Sequence, residues 1–319
     1  MVLAELPPAL VLGLAAVIGL LFGSFTNVVI YRLPRGESIA FPPSHCPNCS
    51  KPIRARDNLP VIGYLLLRGR ARCCTAPISW RYPAVEAMGG MWAVAITRVA
   101  ILDLPGATPL WEVGLSFAAF LALGLILLAA LFIDLDHMLL PDVLTLGGAG
   151  LGLATSQWLR DIDWMDSAIG AAIGYAAVRL LFVDGYRLLR GHPGMGLGDA
   201  KMLMLSGAWF GWVGVLFALM VGSVLGTLTA IVVYLLRGKM EEPEAVRQER
   251  EETAALLETL EGEERARLEA ELERDPLYAA PASGFGGARL AFGPFLAVAT
   301  MAYPLVGPRI LEHFLLVGS

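Results

Sequence analysis

The chain has 319 residues, 56% of them apolar and 17% charged, with a formal net charge of −5 and a mean hydropathy of +0.63. Soluble chains carry roughly 45–50% apolar and about 25% charged residues, so a soluble two-domain protein is excluded, as is a secreted, disordered or nucleic-acid-binding one. The charge is local: residues 239–275 hold 6 basic and 14 acidic side chains, a net of −8, which leaves +3 for the rest.

The apolar residues gather in blocks of the length that crosses a bilayer, about 20 residues each. They predict an all-α polytopic membrane protein with about eight transmembrane helices. In chain order the spans are expected near residues 10–30, 84–102, 113–133, 143–157, 168–183, 202–212, 213–236 and 292–316; the fourth is marginal and the sixth short. Glu5 is the only charge before Arg32. The first block therefore lacks the basic flank of a cleaved signal peptide and reads as a retained span. Between the first two spans lie Arg32, Arg35, Lys51, Arg54, Arg56, Arg68, Arg70, Arg72 and Arg81, opposed only by Glu37 and Asp57. The excess of basic residues places this loop in the cytoplasm, and eight alternating spans then put both termini outside. Pairs of glycines four residues apart, Gly170/Gly174 and Gly222/Gly226, are expected to pack helices closely. The expected division is 1–31 first span, 32–82 cytoplasmic cysteine loop, 83–237 transmembrane core, 238–290 acidic helical insertion and linker, and 291–319 last span.

All four cysteines, Cys46, Cys49, Cys73 and Cys74, lie in that cytoplasmic loop. A reducing compartment disfavours structural disulfides, and a loop poor in apolar residues needs another staple. A Cys-Pro-Asn-Cys knuckle followed by a distant cysteine pair fits a small zinc-ribbon-like site. Its fourth ligand comes from Cys73 or His45; the alternative is a vestigial knuckle without metal.

Ionisable groups at span ends are functional candidates. The third span ends in the run Phe132 to Asp142, which contains Asp134, Asp136 and Asp142; the fifth leads into Gly194-Met195-Gly196-Leu197-Gly198-Asp199-Ala200-Lys201. Two carboxylates meeting in a partly dry site suit aspartyl proteolysis: one takes a proton from water while the other, protonated, polarises the scissile carbonyl. Gly196 and Gly198 would let a substrate backbone approach. Asp134 is the carboxylate nearest the membrane; Asp136 also suits a solvated loop, and Asp142 and Asp199 also suit helix caps. Lys201 also suits a membrane-edge anchor, and Ser24 and Asn27 interhelical hydrogen bonds.

These motifs resemble the type IV prepilin peptidases, bacterial inner-membrane aspartic proteases of pilus assembly and type II secretion. The resemblance rests on the run from Gly23 to Pro34, the Cys46–Cys49 knuckle, Asp57-Asn58-Leu59-Pro60, Arg81-Tyr82-Pro83 with Glu86, the Asp134-to-Asp142 run, Gly196-Leu197-Gly198-Asp199 with Lys201, and Phe292-Gly293-Pro294. It implies that Asp134 and Asp199 are the catalytic pair. It implies a prepilin or pseudopilin substrate whose short basic leader is cut after a glycine at the cytoplasmic membrane edge. It also implies methylation of the new N-terminus from S-adenosylmethionine; Ser24, Asn27 and Glu86, together with Gly196, Gly198 and Lys201, are candidate contacts for substrate or methyl transfer. The chain departs from the family in two places. The family has two Cys-x-x-Cys pairs, and here Ala71 stands where the third cysteine belongs, with Cys73 as a compensating shift. The other departure is the insertion near residues 239–288, which reads as an acidic helical hairpin with Leu256/Leu260 and Leu268/Leu272 at helical spacing and Pro276, Pro281 and Gly284–Gly287 as a linker. It is expected to be a solvated spacer, or else a surface for basic leaders or a cytoplasmic assembly partner. An ion-coupled transporter using the two aspartates, and a non-catalytic assembly scaffold, are the alternative readings.

Overall fold

A computed structural model describes residues 1–159, 162–190, 194–237, 244–272 and 291–315. Among these residues there are helices and turns and no strand; the extended pairings are three isolated bridges. The chain divides into two compact units. One comprises Met1–Ala130, Ala154–Asp163 and Thr300–Ser319; the other comprises Leu131–Leu153 and Trp164–Ala299.

In the first unit, α1 (Pro8–Arg32) starts on a proline, whose missing N–H costs nothing in a first helical turn. After the short helix α2 (Ile62–Leu66), α3 (Arg81–Ile96) runs back and continues through a π-helical turn, Thr97–Ile101. Small residues let α1 and α3 touch backbone to backbone: a Cβ on Gly19 would lie 2.6 Å from the Gly89 carbonyl oxygen. Helix α4 (Leu110–His137) lies beyond, and the buried Trp92 indole of α3 donates to the Phe120 carbonyl (2.8 Å) while its ring occupies the space that a side chain at Gly124 would need. Leu10, Leu14, Val17, Leu21, Phe22 and Phe25 remain exposed on α1. An apolar strip of this extent would be an aggregation hazard in water; on a span it faces lipid.

The second unit holds the end of α4 and the start of α5 (Asp142–Leu159), then α6 (Trp164–Ala177) with its π-helical continuation Val178–Gly185, α7 (Tyr186–Arg190) and α8 (Leu197–Arg237). Beyond these come α9 (Glu244–Thr259), α10 (Gly262–Leu272) and the start of α11 (Gly293–Leu315). The expected role of the paired glycines is seen: a Cβ on Gly170 would meet the Gly207 carbonyl of α8 at 2.5 Å, and one on Gly222 would meet Leu296 of α11 at 3.1 Å. Trp209 fills the core and donates to the Gly148 carbonyl (2.9 Å).

Among the described residues, five helices are long and apolar enough to cross a membrane: Pro8–Arg35, Arg81–Ile101, Leu110–His137, Trp164–Leu189 and Leu197–Leu236. The protein is therefore an all-α, multi-pass membrane protein. The eight expected spans map onto fewer separate elements for local reasons. Those near 202–212 and 213–236 run on as α8, interrupted at Gly211, whose φ of 67° and ψ of −170° break the helical path. A left-handed φ suits glycine, which is why the boundary between the two spans falls there. The expected fourth and eighth spans correspond to α5 and α11. The acidic segment forms α9 and α10, which contact each other as a hairpin expects; Pro276, Pro281 and Gly284–Gly287 lie outside the described residues.

Candidate active site

The sequence expectation ends the third span near residue 133, with Asp134 as the first residue of the following loop. In the structure α4 runs on to His137, and the chain turns at Met138, in the left-handed region at φ 50° with its N–H on the Asp134 carbonyl (2.9 Å). That one extra turn keeps Asp134 inside the helix and 5% exposed, while Asp136 points outward. Leu140 is buried, and Pro141 leads into α5.

Two helix N-termini supply the partners. Phe292 accepts the N–H groups of Phe295 and Leu296, so it sits at the cap of α11 and Gly293 is the first residue inside. The N–H of a first helical residue has no partner within the helix; here it is donated to the Asp134 carboxylate. Pro294 follows, where a missing N–H again costs nothing. At the other helix Gly196 precedes α8 and Asp199 sits in its first turn, with its carboxylate reaching back to accept the Gly196 N–H. This is the reciprocal half of a capping box, so the capping role considered for Asp199 is real and coexists with its position in the site. The Asp134 and Asp199 carboxylates are near enough for their charges to interact. Gly198 lets Leu140 come close: a Cβ there would stand 3.1 Å from the Leu140 side chain. Lys201, two residues after Asp199 on α8, pairs with Asp142 at 2.5 Å. Asp142 opens α5 and is its first-turn acid, favourable at a positive helix end.

Asp134, Asp199, Gly196, Gly198 and Lys201 are thus gathered in the second unit. Gly293 joins them, and sequence reasoning did not single it out as a site residue. Its signal was the Phe-Gly-Pro run at a helix start; what was missing was any sign that this helix faces Asp134.

Ser24, Asn27 and Glu86 form a separate group in the first unit. The Ser24 hydroxyl donates to Glu86 Oε1 (2.8 Å), the Val61 N–H donates to Glu86 Oε2 (2.7 Å), and the Asn27 amide donates to the Tyr82 carbonyl (3.1 Å). Val61 lies at φ 60°, a strained conformation for a β-branched residue. Glu86→Ala removes the acceptor of that part-buried N–H, a loss of about 1–3 kcal/mol locally. Hydrogen exchange at Val61 and Ile62 should accelerate selectively, and unchanged exchange there would show that Glu86 does not hold this turn.

The cysteine loop is built on two short turns. Around the first, His45 bridges Pro52; around the second, Arg70 bridges Pro77. The four sulfurs all lie within 4.8 Å of one another, with Cys46–Cys74 at 3.7 Å, Cys49–Cys73 at 3.3 Å and Cys73–Cys74 at 3.8 Å. Tetrahedral zinc with Zn–S near 2.3 Å sets its sulfurs about 3.7–3.8 Å apart, so the cluster is one that fits a metal. His45 is not part of it; its Nδ1 lies 3.3 Å from the Pro43 carbonyl. The Ala76 N–H and the Asn48 amide draw the Cys74 thiol down to about 7, while the hydrogen bond with Cys49 pushes Cys73 up to about 12. Asp57 grips Arg72 through both carboxylate oxygens (3.0 Å each), which holds its carboxyl below the usual range and pins the second turn.

A multi-pass helical chain that brings two carboxylates together at helix N-termini has the equipment of a membrane aspartic peptidase. Residues 17–99 match the bacterial peptidase A24 N-terminal domain, and residues 121–231 match the type IV leader peptidase family. Prepilin leader peptidase/N-methyltransferases from Pseudomonas putida and Aeromonas hydrophila are 38% and 39% identical to it, each over 72% of this chain and 83% of the relative. The one from Klebsiella pneumoniae is 41% identical over 61% of this chain and 82% of the relative. No solved structure matches the chain. The chain belongs to the type IV leader peptidase family.

Proposed function

We propose that this protein cleaves the basic leader from prepilins or pseudopilins and methylates the N-terminus it exposes, with Asp134 and Asp199 as the catalytic pair. The observation that carries the reading is the placement of these two carboxylates, each held by a backbone N–H at a helix start and each within the other's field. Paired carboxylates of this kind share a proton. The ionised member takes a proton from a water molecule, which attacks the scissile carbonyl, and the protonated member donates to the carbonyl oxygen. The tetrahedral intermediate collapses as the leaving amine is protonated. Burial of Asp134 in α4 keeps bulk water from competing for the reacting groups. Gly196 and Gly198, without side chains, leave room for an extended substrate backbone beside Asp199, and Lys201, tied to Asp142, fixes the first turns of α8.

In the second activity the freed amine, in its neutral form, would take the methyl group of S-adenosylmethionine as co-substrate, with the S–CH3 bond breaking to release S-adenosylhomocysteine and the amine proton passing to solvent. Ser24, Asn27 and Glu86 serve substrate or methyl donor: Glu86, which accepts from Ser24, holds the 57–66 turn through the Val61 N–H, and Asn27 ties α1 to the start of α3 at Tyr82. Cys46, Cys49, Cys73 and Cys74 would hold a structural zinc ion that braces the loop in place of an apolar core. The cysteine loop faces the cytoplasm, and both termini lie outside. The domain division is the one read from the sequence, with the acidic α9–α10 segment as a spacer between membrane segments or a surface for a cytoplasmic partner.

The test is cleavage of a detergent-solubilised prepilin by the purified protein, read by mass spectrometry. Loss of the leader after its glycine is expected, with one added methyl when S-adenosylmethionine is present. An intact prepilin, with folded enzyme and a matched substrate, overturns the reading.

A further inference from the structure

The two turns of the cysteine loop share one hydrogen-bond pattern. In the first, the Cys46 N–H donates to the Lys51 carbonyl (2.9 Å) and the Ser50 N–H to the Cys46 carbonyl (2.8 Å), with Ser50 at φ 56°. In the second, the Ala71 N–H donates to the Ala76 carbonyl (2.8 Å) and the Thr75 N–H to the Ala71 carbonyl (2.8 Å), with Thr75 at φ 57°. The bridges His45–Pro52 and Arg70–Pro77 close the two turns at the same register. Residue for residue, Cys46 corresponds to Ala71, Asn48 to Cys73, Cys49 to Cys74 and Ser50 to Thr75.

Two consequences follow. The leading ligand position of the second turn is occupied by a methyl group. The sulfur that completes the cluster comes from the position where the first turn carries Asn48, a residue that donates its amide to the Cys74 sulfur (3.7 Å) rather than acting as a ligand. Cys46 is buried, whereas Cys73 is exposed.

We propose that Cys73 is a relocated fourth ligand: it substitutes for the cysteine that the turn geometry reserves for position 71, and it makes one corner of the metal site solvent-facing and exchangeable. The inference rests on the metal reading above. A site whose three other thiolates come from regular turn positions binds through them first, and the off-register thiolate closes the tetrahedron last and opens first. A metal then enters and leaves by the Cys73 edge, because that ligand alone can swing away without disturbing either turn. Moving the cysteine back to position 71 should close the site again.

The full-length protein in detergent, loaded with Zn²⁺, provides the test. Metal content per chain and the rate of Zn²⁺ transfer to a chromophoric chelator are compared in the parent, Cys73→Ala, Ala71→Cys with Cys73→Ala, and His45→Ala. Cys73→Ala should release zinc roughly tenfold faster or more, since loss of a group that merely supports a ligand already costs about 10–100-fold in metal affinity and Cys73 is a ligand itself. The double variant should regain the metal and release it more slowly than the parent, and His45→Ala should match the parent. Recovery in the double variant also shows that Cys73→Ala is not simply misfolded. Parent-like content and release in Cys73→Ala overturn the inference while leaving the metal site standing, as does fast release in His45→Ala alone. A double variant that holds no more zinc than Cys73→Ala also overturns it. A parent that retains no zinc overturns the metal reading itself.

Discussion

Asp134→Asn and Asp199→Asn should each reduce prepilin cleavage by about 10⁴-fold, the upper range for removing a general acid or base. Asn keeps the shape of the carboxylate and can still accept the Gly293 or Gly196 N–H. The loss therefore reports on the proton and the charge rather than on the fold. The decisive comparison is the double variant. Groups that act as one unit are strongly non-additive, so Asp134→Asn with Asp199→Asn should fall no further than either alone. Product formation with a matched prepilin, followed by mass spectrometry over several decades of enzyme concentration, checks this. Retained cleavage in one single variant removes that residue from the mechanism. Retained cleavage in both would remove the pair from the mechanism and place catalysis on other residues.

Gly293→Ala is the second large effect expected, and it comes from packing alone. A methyl group at this position would fall 2.5 Å from Asp134 Oδ2 and 3.0 Å from Leu140 Cδ1. Asp134 is buried inside α4, so its carboxylate has little room to yield, and the Gly293 N–H that orients it would move with the displaced helix start. Misplacing a reacting group by about 1 Å costs on the order of 10²-fold in rate, so kcat should fall by about that much with a smaller change in KM. Gly147→Ala on the exposed face of α5, where nothing lies within 4 Å of the added methyl, is the matched control and should leave cleavage unchanged. Gly293→Ala with parent-like kcat would show that the start of α11 does not position Asp134.

The residues themselves determined the class of fold. A chain with 56% apolar and 17% charged residues, grouped in bilayer-length blocks, has nowhere to hide its backbone polar groups except in helices. The two aspartate runs were also legible, because charged groups at span ends are expensive and therefore conspicuous. The four cysteines were visible as candidate ligands by residue type, and the resemblance to the family marked Ala71 as the place where a third cysteine is expected.

Three things depended on tertiary structure. Asp134 was read as the first residue of a loop because a charge ordinarily ends a span; it stays helical and buried because the turn is made at Met138, by a positive φ that no composition signals. Gly293 is separated from Asp134 by more than 150 residues of sequence and meets it because the free N–H of the α11 start needs an acceptor that only the packed helices bring within reach. The fourth corner of the cysteine cluster stayed open between Cys73 and His45 on spacing alone. It was decided by where the second turn aims its sulfurs, since ligand geometry depends on side-chain direction and spacing records only the length of chain between donors.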